Sequence, residues 1–395
     1  MNSKIAKALE IVKIIEDAGG RAHIVGGAVR DTLLGRPIED VDLATSFTPH
    51  KISKLFSKVV PIGIEHGTVL IRYDSESYEI TTYRTEEGYN DFRHPDQVEF
   101  VRSVEQDLAR RDFTINAMAL NGEGHLIDPY GGQEDLVKGL IRAVGDAKER
   151  FSEDPLRMMR ALRFSSQLGF SLDKYISDAI SYQASLLSKI SIERIAVEFE
   201  KLCKGQEYKA VLLHLEKLKV HHYLPLFKEN SEQIKVIPSV RLQGFSELIP
   251  FYCEKGSPYE ISEWIKAWKQ SNLVKRNSLI IYEAVHSYDH KPLPEVIYPV
   301  PSHLIESLVN VLQAIDVNIE HSYVQEVYDK LPIHSRKQLD FKAEDLMKEY
   351  PSQTKGPWIG DFLNKIEKAV VLELIPNENQ AIKEWIKTWN PPETD

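Results

Sequence analysis

Cysteine is nearly missing from this 395-residue chain: only Cys203 and Cys253 occur, with no His or Cys at metal-ligand spacing around them. That leaves room for at most one disulfide, gives no cysteine-based zinc site, and fits a cytoplasmic compartment. Also missing is any apolar run near the roughly 18 residues a membrane span requires. The opening stretch MNSKIAKALEIVKIIEDAGG mixes Lys and Glu into a helical apolar pattern, unlike the ordered regions of a signal peptide, so a soluble, unexported chain is expected. An excess of positive charge is lacking too, with 49 Lys and Arg against 59 Asp and Glu, a net charge of −10. This counts against indiscriminate nucleic-acid binding, which depends on phosphate neutralisation, but is compatible with a single basic face. No G-x-G-x-x-G fingerprint is present, which weakens a Rossmann reading. No Ser-His or Cys-His signature stands out, and His221-His222 has no evident partners.

What is present is 42% apolar and 27% charged residues, over a length that calls for at least two domains, each with its own core. RAHIV at 21–25 reads as a strand, Gly26-Gly27 as a turn, and AVRDTLLG as a short helix closed by Gly35. From Gly67, GTVLIRYDSESYEITTYR gives two alternating segments around a polar DSES turn, the pattern of a hairpin, and INAMALN supplies a further strand. The first ~140 residues therefore predict a small mixed sheet with flanking helices. After about residue 150, segments such as PLRMMRALRFSSQLGF and SIERIAVEFEKLCKG predict helices throughout. The proline-rich DHKPLPEVIYPVPS, at 289–302, is the expected break within that region. EWIKAW at 263–268 echoes EWIKTW at 384–389, which paired core tryptophans on amphipathic helices explain without a repeat.

Asp40 and Asp42 are separated by one residue, so on a strand both carboxylates face the same way. Left alone they repel; a hard cation such as Mg²⁺ stabilises both as anions. The pair follows a glycine turn and helix start suited to a triphosphate: backbone N–H groups at Gly26 and Gly27 approach phosphate oxygens unobstructed, and Arg30 adds a charged donor. Glu79, in YEITTYR, is the candidate third acid. Three acids around two metals roughly 3.5 to 4 Å apart support in-line displacement at an α-phosphate. Such chemistry needs positioning and charge neutralisation more than a covalent nucleophile.

Five segments then occur in order: GGAVRD at 26–31, LLGRPIEDVD at 33–42, RRDFTINAMAL at 110–120, DPYGGQEDLVKGLIR at 128–142 and EDPLRMMRALRF at 153–164. Together they strongly resemble the class II tRNA nucleotidyltransferases, the CCA-adding enzymes, in their shorter bacterial form, and GPWIG at 356–360 is similar to that subgroup. The resemblance implies an α+β chain: a polymerase-β-like head at 1–145, then all-α neck at 146–205, body at 206–300 and tail at 301–395, with body and tail on tRNA. It implies addition of CCA to tRNA 3′ ends from CTP and ATP, with Mg²⁺ at Asp40 and Asp42, the triphosphate on Gly27 and Arg30, and Arg111 on the nucleotide. It places Asp154, Arg157, Arg160 and Arg163 where the family binds the incoming base.

The last assignment has a physical basis. Cytosine and adenine each present an amino donor beside a ring-nitrogen acceptor, while guanine and uracil present acceptor and donor in the reverse order. Asp154 can only accept and Arg157 can only donate, so one such pair fits CTP and ATP and mismatches GTP and UTP. On one continuous helix, steps of three residues drift about −60° each, which would put Arg163 nearly opposite Asp154. Arg160 and Arg163 are then looser nucleotide or structural contacts. The alternative for this helix is Ser152 as N-cap with Glu153 and Asp154 in its first turn.

Other readings of the whole chain are a bacterial poly(A) polymerase, a CC-only or A-only enzyme of the same family, and an RNA-binding module without catalysis. Members that complete CCA carry a flexible loop, and TEEGYNDFRHPD at 85–96 matches its position, which predicts full CCA addition.

Overall fold

The computed structural model describes residues 3–89, 92 and 97–389. The chain forms two compact units, Met1–Lys235 and Val236–Asp395. Within the first, the strands are β1 (Ala22–Val25), β2 (Asp42–Thr45), β3 (Val59–Gly63), β4 (Thr68–Tyr73), β5 (Glu76–Thr82), β8 (Ala119–Leu120) and β9 (Leu126–Ile127), in the sheet order β3-β4-β5-β2-β1-β8-β9. β2 and β5 run parallel and the remaining neighbours antiparallel, so the sheet is mixed as the pattern predicted. β1 is buried along its whole length, which an apolar AHIV segment at the sheet centre permits. Helix α1 (Ser3–Asp17) buries Ile5, Ala8, Leu9, Val12 and Ile15, one stripe of a 3.6-residue period. The β4–β5 hairpin turns at Asp74 and Ser75, both in left-handed backbone (φ 47° and 66°), the conformation a two-residue hairpin loop demands.

Helices α2 (Gly27–Leu33), α3 (Pro49–Leu55), α4 (Val104–Ala109) and α5 (Gly132–Lys138) flank this sheet. Strands β6 (Arg84–Glu87) and β7 (Gln97–Phe100) pair antiparallel, so the segment predicted as a flexible loop begins on a two-stranded stem; its residues 90, 91 and 93–96 lie outside the described residues. Then come α6 (Ala147–Glu153), α7 (Leu156–Leu168), α8 (Lys174–Gln183), α9 (Ile192–Cys203) and α10 (Tyr208–Lys217). One expectation fails in this region. The chain after 150 is not wholly helical: β11 (Ser171–Leu172) pairs in parallel with β10 (Leu140–Ile141), because Gly169, left-handed at φ 71°, ends α7 and turns the chain back.

The second unit is helical among its described residues, with α11 (Phe245–Glu254), α12 (Ile261–Ala267), α13 (Asn272–Ser287), α14 (Leu293–Ile297) and α15 (Ile305–Ala314) leading. Pro292 caps α14 and the proline-rich segment holds only this five-residue helix. Trp264 and Trp268 are core residues, Trp264 stacking on Tyr252 at 5.1 Å. Their echoes Trp385 and Trp389 are only half-buried, edge to face at 4.7 Å. No described helix is long and apolar enough to cross a membrane.

Candidate active site

The glycine turn after β1 holds its predicted shape. Gly26 adopts φ 72°, and a Cβ there would stand 2.8 Å from Arg111 Nη1, so the position excludes side chains on two grounds. Gly27 begins α2, where Arg30 is fixed on three sides: Nη1 donates to Asn116 Oδ1 at 2.7 Å, Nε and Nη2 donate to Asp31, and the guanidinium lies 5.0 Å from the Phe164 ring centroid. The guanidinium expected to meet a triphosphate is thereby held in one orientation.

Asp42 is the first residue of β2, and the parallel register places it directly beside Glu79 of β5. Side chains of register partners point to the same face about 5 Å apart, so these two carboxylates are neighbours by construction. Asp40 lies just before the strand rather than on it, which corrects the premise that alternation along one strand aligns the pair. Its charge still acts here. Partial burial pushes the Asp42 carboxyl above its ordinary range and Asp40 adds to the rise, against the pull of Arg111. Glu79 is raised by burial, then by Asp42 and Asp40. Mutual repulsion of this kind is what a divalent cation relieves, and oxygen donors suit a hard ion. Among the described residues no three His, Cys, Asp or Glu side chains stand close enough together to hold a metal ion.

The helix expected to carry Asp154, Arg157, Arg160 and Arg163 is two helices. α6 ends at Glu153, Asp154 is extended (φ −135°, ψ 97°), and α7 starts at Leu156 after Pro155. Ser152 therefore sits inside α6 and caps nothing, which overturns the N-cap alternative. Asp154 lies one residue before the Pro155 N-cap of α7: one carboxylate oxygen accepts from Leu156 N at 3.1 Å and the other pairs with Arg194 Nη2 of α9 at 3.0 Å. Arg157 donates to Glu153 at 2.9 Å and to the Arg110 carbonyl at 3.2 Å. Because Asp154 precedes the break, the angular drift counted along one continuous helix does not apply to it. Arg157, Arg160 and Arg163 advance by only two steps along α7 and reach one space. Arg163 lies 4.0 Å and Arg160 5.5 Å from the Phe164 ring centroid, so that ring and the one under Arg30 are the same.

Gly27, Arg30, Asp42, Arg111, Asp154, Arg157, Arg160 and Arg163 all line one cleft of about 430 Å³. Asp40 and Glu79 do not; Glu79 lines an adjoining cavity of about 520 Å³ that shares Arg110, Asp154 and Arg157 with the cleft. Sequence reasoning missed the residues that hold the arginines. Asp112 receives both Nε (2.9 Å) and Nη2 (2.6 Å) of Arg160 and accepts from Asn116 Nδ2 at 3.1 Å, which links α7 to Arg30. Burial opposes its charge, but Arg160 and Asn116 hold its carboxyl well below the usual range. Asp107, fully buried, pairs with Arg110 at 2.9 Å and Arg111 at 3.3 Å. Glu198 of α9 pairs with Arg163 at 2.6 Å. Asp112 and Asn116 belong to the quoted RRDFTINAMAL segment, so the signal was present; Asp107, Arg194 and Glu198 carry no local mark.

Three family models match the chain: "Poly A polymerase head domain" at 22–142, "Probable RNA and SrmB- binding site of polymerase A" at 169–231, and tRNA nucleotidyltransferase domain 2 at 248–386. The chain is 39% identical to the CCA-adding enzyme of Oceanobacillus iheyensis over 388 residues, covering 96% of each. It is 39% identical to that of Bacillus cytotoxicus over 394 residues, covering 98% of this chain and 99% of the relative. Its fold is similar to the crystal structure of the Bacillus stearothermophilus CCA-adding enzyme in complex with CTP, with a TM-score of 0.85, 34% identity and 98% of each chain covered.

Proposed function

This chain belongs to the CCA-adding enzymes, and on that footing we propose how its residues divide the work. It is a nucleotidyltransferase that adds CCA to the 3′ end of tRNA from CTP and ATP, with no nucleic-acid template. The observation that carries the residue assignment is the convergence of eight residues from four of the quoted segments on one cleft. Gly27, Arg30 and Arg111 hold the triphosphate, and Arg160 and Arg163 complete a positively charged wall behind it. Asp154 accepts from the amino group of cytosine or adenine while Arg157 donates to the neighbouring ring nitrogen. Each is held by partners that leave its inward face available: a carboxylate has lone pairs beyond the two it uses, and a guanidinium has five N–H donors. Guanine and uracil would meet acceptor with acceptor and donor with donor, leaving buried groups unpaired.

Members of the family use a divalent metal, and we assign it as Mg²⁺ held by Asp40 and Asp42 with Glu79 alongside. Bound there, it would supply charge neutralisation at the α-phosphate and lower the pKa of the attacking hydroxyl. The chain's own contribution is to align the RNA 3′-oxygen with the α-phosphate and to stabilise the departing pyrophosphate through Arg30 and Arg111. The head at 1–145, neck at 146–205, body at 206–300 and tail at 301–395 are our functional subdivision; body and tail take the tRNA, and the cytoplasm is the compartment where uncharged tRNA substrates are met.

Incubating tRNA that ends at its discriminator base with CTP and ATP tests the proposal. Three added nucleotides are expected. A product that stops at CC would defeat full CCA addition, and equal extension of an unstructured RNA into long A tracts would favour a poly(A) polymerase instead.

A further inference from the structure

Resting on that reading of the site, we propose that Arg36 is a specificity-determining positioning residue: through the Gln167 carbonyl it holds α7 at a fixed spacing from α2, and base selection depends on that spacing. The last carbonyls of a helix have no partner within it. At the end of α7, Ser165 O accepts from Gly169 N at 3.0 Å and Ser166 O from Glu207 N at 2.9 Å. Gln167 O is reached from another part of the chain altogether, by Arg36 Nη1 at 3.1 Å, across 131 positions of sequence. A cation suits this place, because the carbonyl end of a helix carries partial negative charge.

Both ends of this bond lead back to the cleft. The Arg36 N–H donates to the Asp31 carbonyl at 2.8 Å, closing the end of α2 just after Gly35, left-handed at φ 65°. Asp31 in turn holds Arg30 through both carboxylate oxygens. On the other side, Gln167 Oε1 accepts from Arg163 Nη1 at 3.1 Å. Arg30 and Arg163 then meet at the Phe164 ring. A closed circuit results, running Arg30, Asp31, Arg36, Gln167, Arg163 and Phe164, with Arg36 as its single link between α2 and α7 outside the cleft. Asp40 and Asp42 follow Arg36 on the same segment, so the stretch fastened to α7 also carries the acids assigned to the metal.

The consequence for selection follows from where a nucleotide would be held. Its triphosphate is tied to α2 through Gly27 and Arg30, and its base edge meets Asp154 and Arg157 at the start of α7. Rejection of uracil by acceptor against acceptor and donor against donor works only while the base cannot slide or tilt out of register. Any looseness between α2 and α7 gives the wrong base room to escape that clash, while a correctly paired cytosine still finds its partners. The links inside the cleft are made of buried groups: Arg160 grips Asp112 through two nitrogens, and Asn116 ties Asp112 to Arg30. Arg36 is exposed and makes one hydrogen bond to a carbonyl, a contact that adds little to folding stability. Its effect is on spacing and not on the integrity of the fold.

Two measurements test this. The first compares wild type, Arg36→Ala and Arg36→Lys in single-turnover addition of CMP and of UMP to a tRNA ending at its discriminator base, with thermal unfolding alongside. Arg36→Ala should lower the ratio of kcat/KM for CTP over UTP by about five-fold or more, with an unchanged unfolding midpoint. Arg36→Lys, which keeps a cation and N–H donors for one carbonyl, should retain most of the wild-type ratio. An unchanged ratio in Arg36→Ala, or equal losses with both nucleotides, overturns the proposal. The second places Arg36→Ala in an Asp154→Asn background. Acting through the base contacts, it should relax selection little further there, and a full additional loss means that it acts elsewhere and overturns the assignment. If wild type adds no CMP at all, the functional reading has failed and the role of Arg36 falls with it.

Discussion

Asp154 and Arg194, forty positions apart on different helical segments, share an ion pair of 3.0 Å, while the second Asp154 oxygen accepts from Leu156 N at the start of α7. The carboxylate proposed to read the base is therefore clamped in orientation before a nucleotide enters. Asp154→Asn replaces one acceptor face with a donor and should relax selection against UTP and GTP by about 1 to 3 kcal/mol, the worth of one bidentate base contact. Arg194→Ala should relax it less, because the bond to Leu156 N remains. Competition between CTP and UTP in a single-turnover assay reads both; undiminished selectivity in Asp154→Asn would remove the residue from base recognition.

The acids set the pH response. Asp42 and Glu79 lie above their ordinary values of 3.8 and 4.5, so in metal-free protein their contribution to stability is full below the unfolded values and is lost as pH rises through the folded ones. Divalent affinity runs the other way, rising over that window because the cation requires both as anions. Asp40→Asn removes a proposed metal ligand as well as a like charge, so Mg²⁺ affinity should fall at every pH while its rise moves to lower pH, seen by calorimetric Mg²⁺ titration at a series of pH values. Coincident curves for wild type and variant would contradict the coupling.

Asp42→Ala should abolish nucleotide incorporation by at least about 10³-fold, the scale lost when charge stabilisation at the reacting centre is removed. Binding of CTP should survive, since the arginines remain. Incorporation by the variant at the wild-type rate would dispose of the metal-site assignment.

Asp112 joins Arg160 to Asn116 and through it to Arg30. Asp112→Ala should cost about 3 kcal/mol, the low end for breaking a buried pair, because Arg160 keeps a third of its side chain exposed and has Glu198 at 3.9 Å. Urea unfolding measures this, and a loss below about 1 kcal/mol would show that the pair is dispensable.

The two glycines separate cleanly. Gly26→Ala forces alanine to φ 72° with ψ −135°, a conformation L side chains rarely adopt, costing about 1 to 3 kcal/mol, and drives its Cβ against Arg111, so both stability and CTP affinity should fall. At Gly27 the nearest contact is Arg30 Nη2 at 3.6 Å, so alanine should spare stability and act on nucleotide binding alone. Equal thermal shifts for the two variants would be inconsistent with these conformations.

Much of this was legible in the sequence, for local reasons. The β1 turn and the β4–β5 hairpin follow from periodicity and turn chemistry, and the cleft-lining set from Gly27 to Arg163 largely from the resemblance that the ordered motifs carry. What escaped depended on distant contacts or on one backbone break. Nothing near Glu198 or Arg194 announces that each neutralises an arginine or aspartate on another segment. Only the extended backbone at Asp154 reveals that α6 and α7 are separate, which brings Arg163 into the cleft instead of leaving it on the far side. The position of Asp40 before β2 was equally invisible, since alternation cannot tell where a strand begins.

The short ladder between β10 and β11 fastens both ends of the stretch that carries α6 and α7. A single residue inserted within α7 would swing everything beyond it by about 100° and cannot be absorbed by slippage at either anchored end. Length changes should be tolerated in the connection after Tyr89 and forbidden between Arg157 and Arg163, so this wall of the cleft behaves as a ruler whose spacing, more than its individual charges, constrains how the chain can diverge.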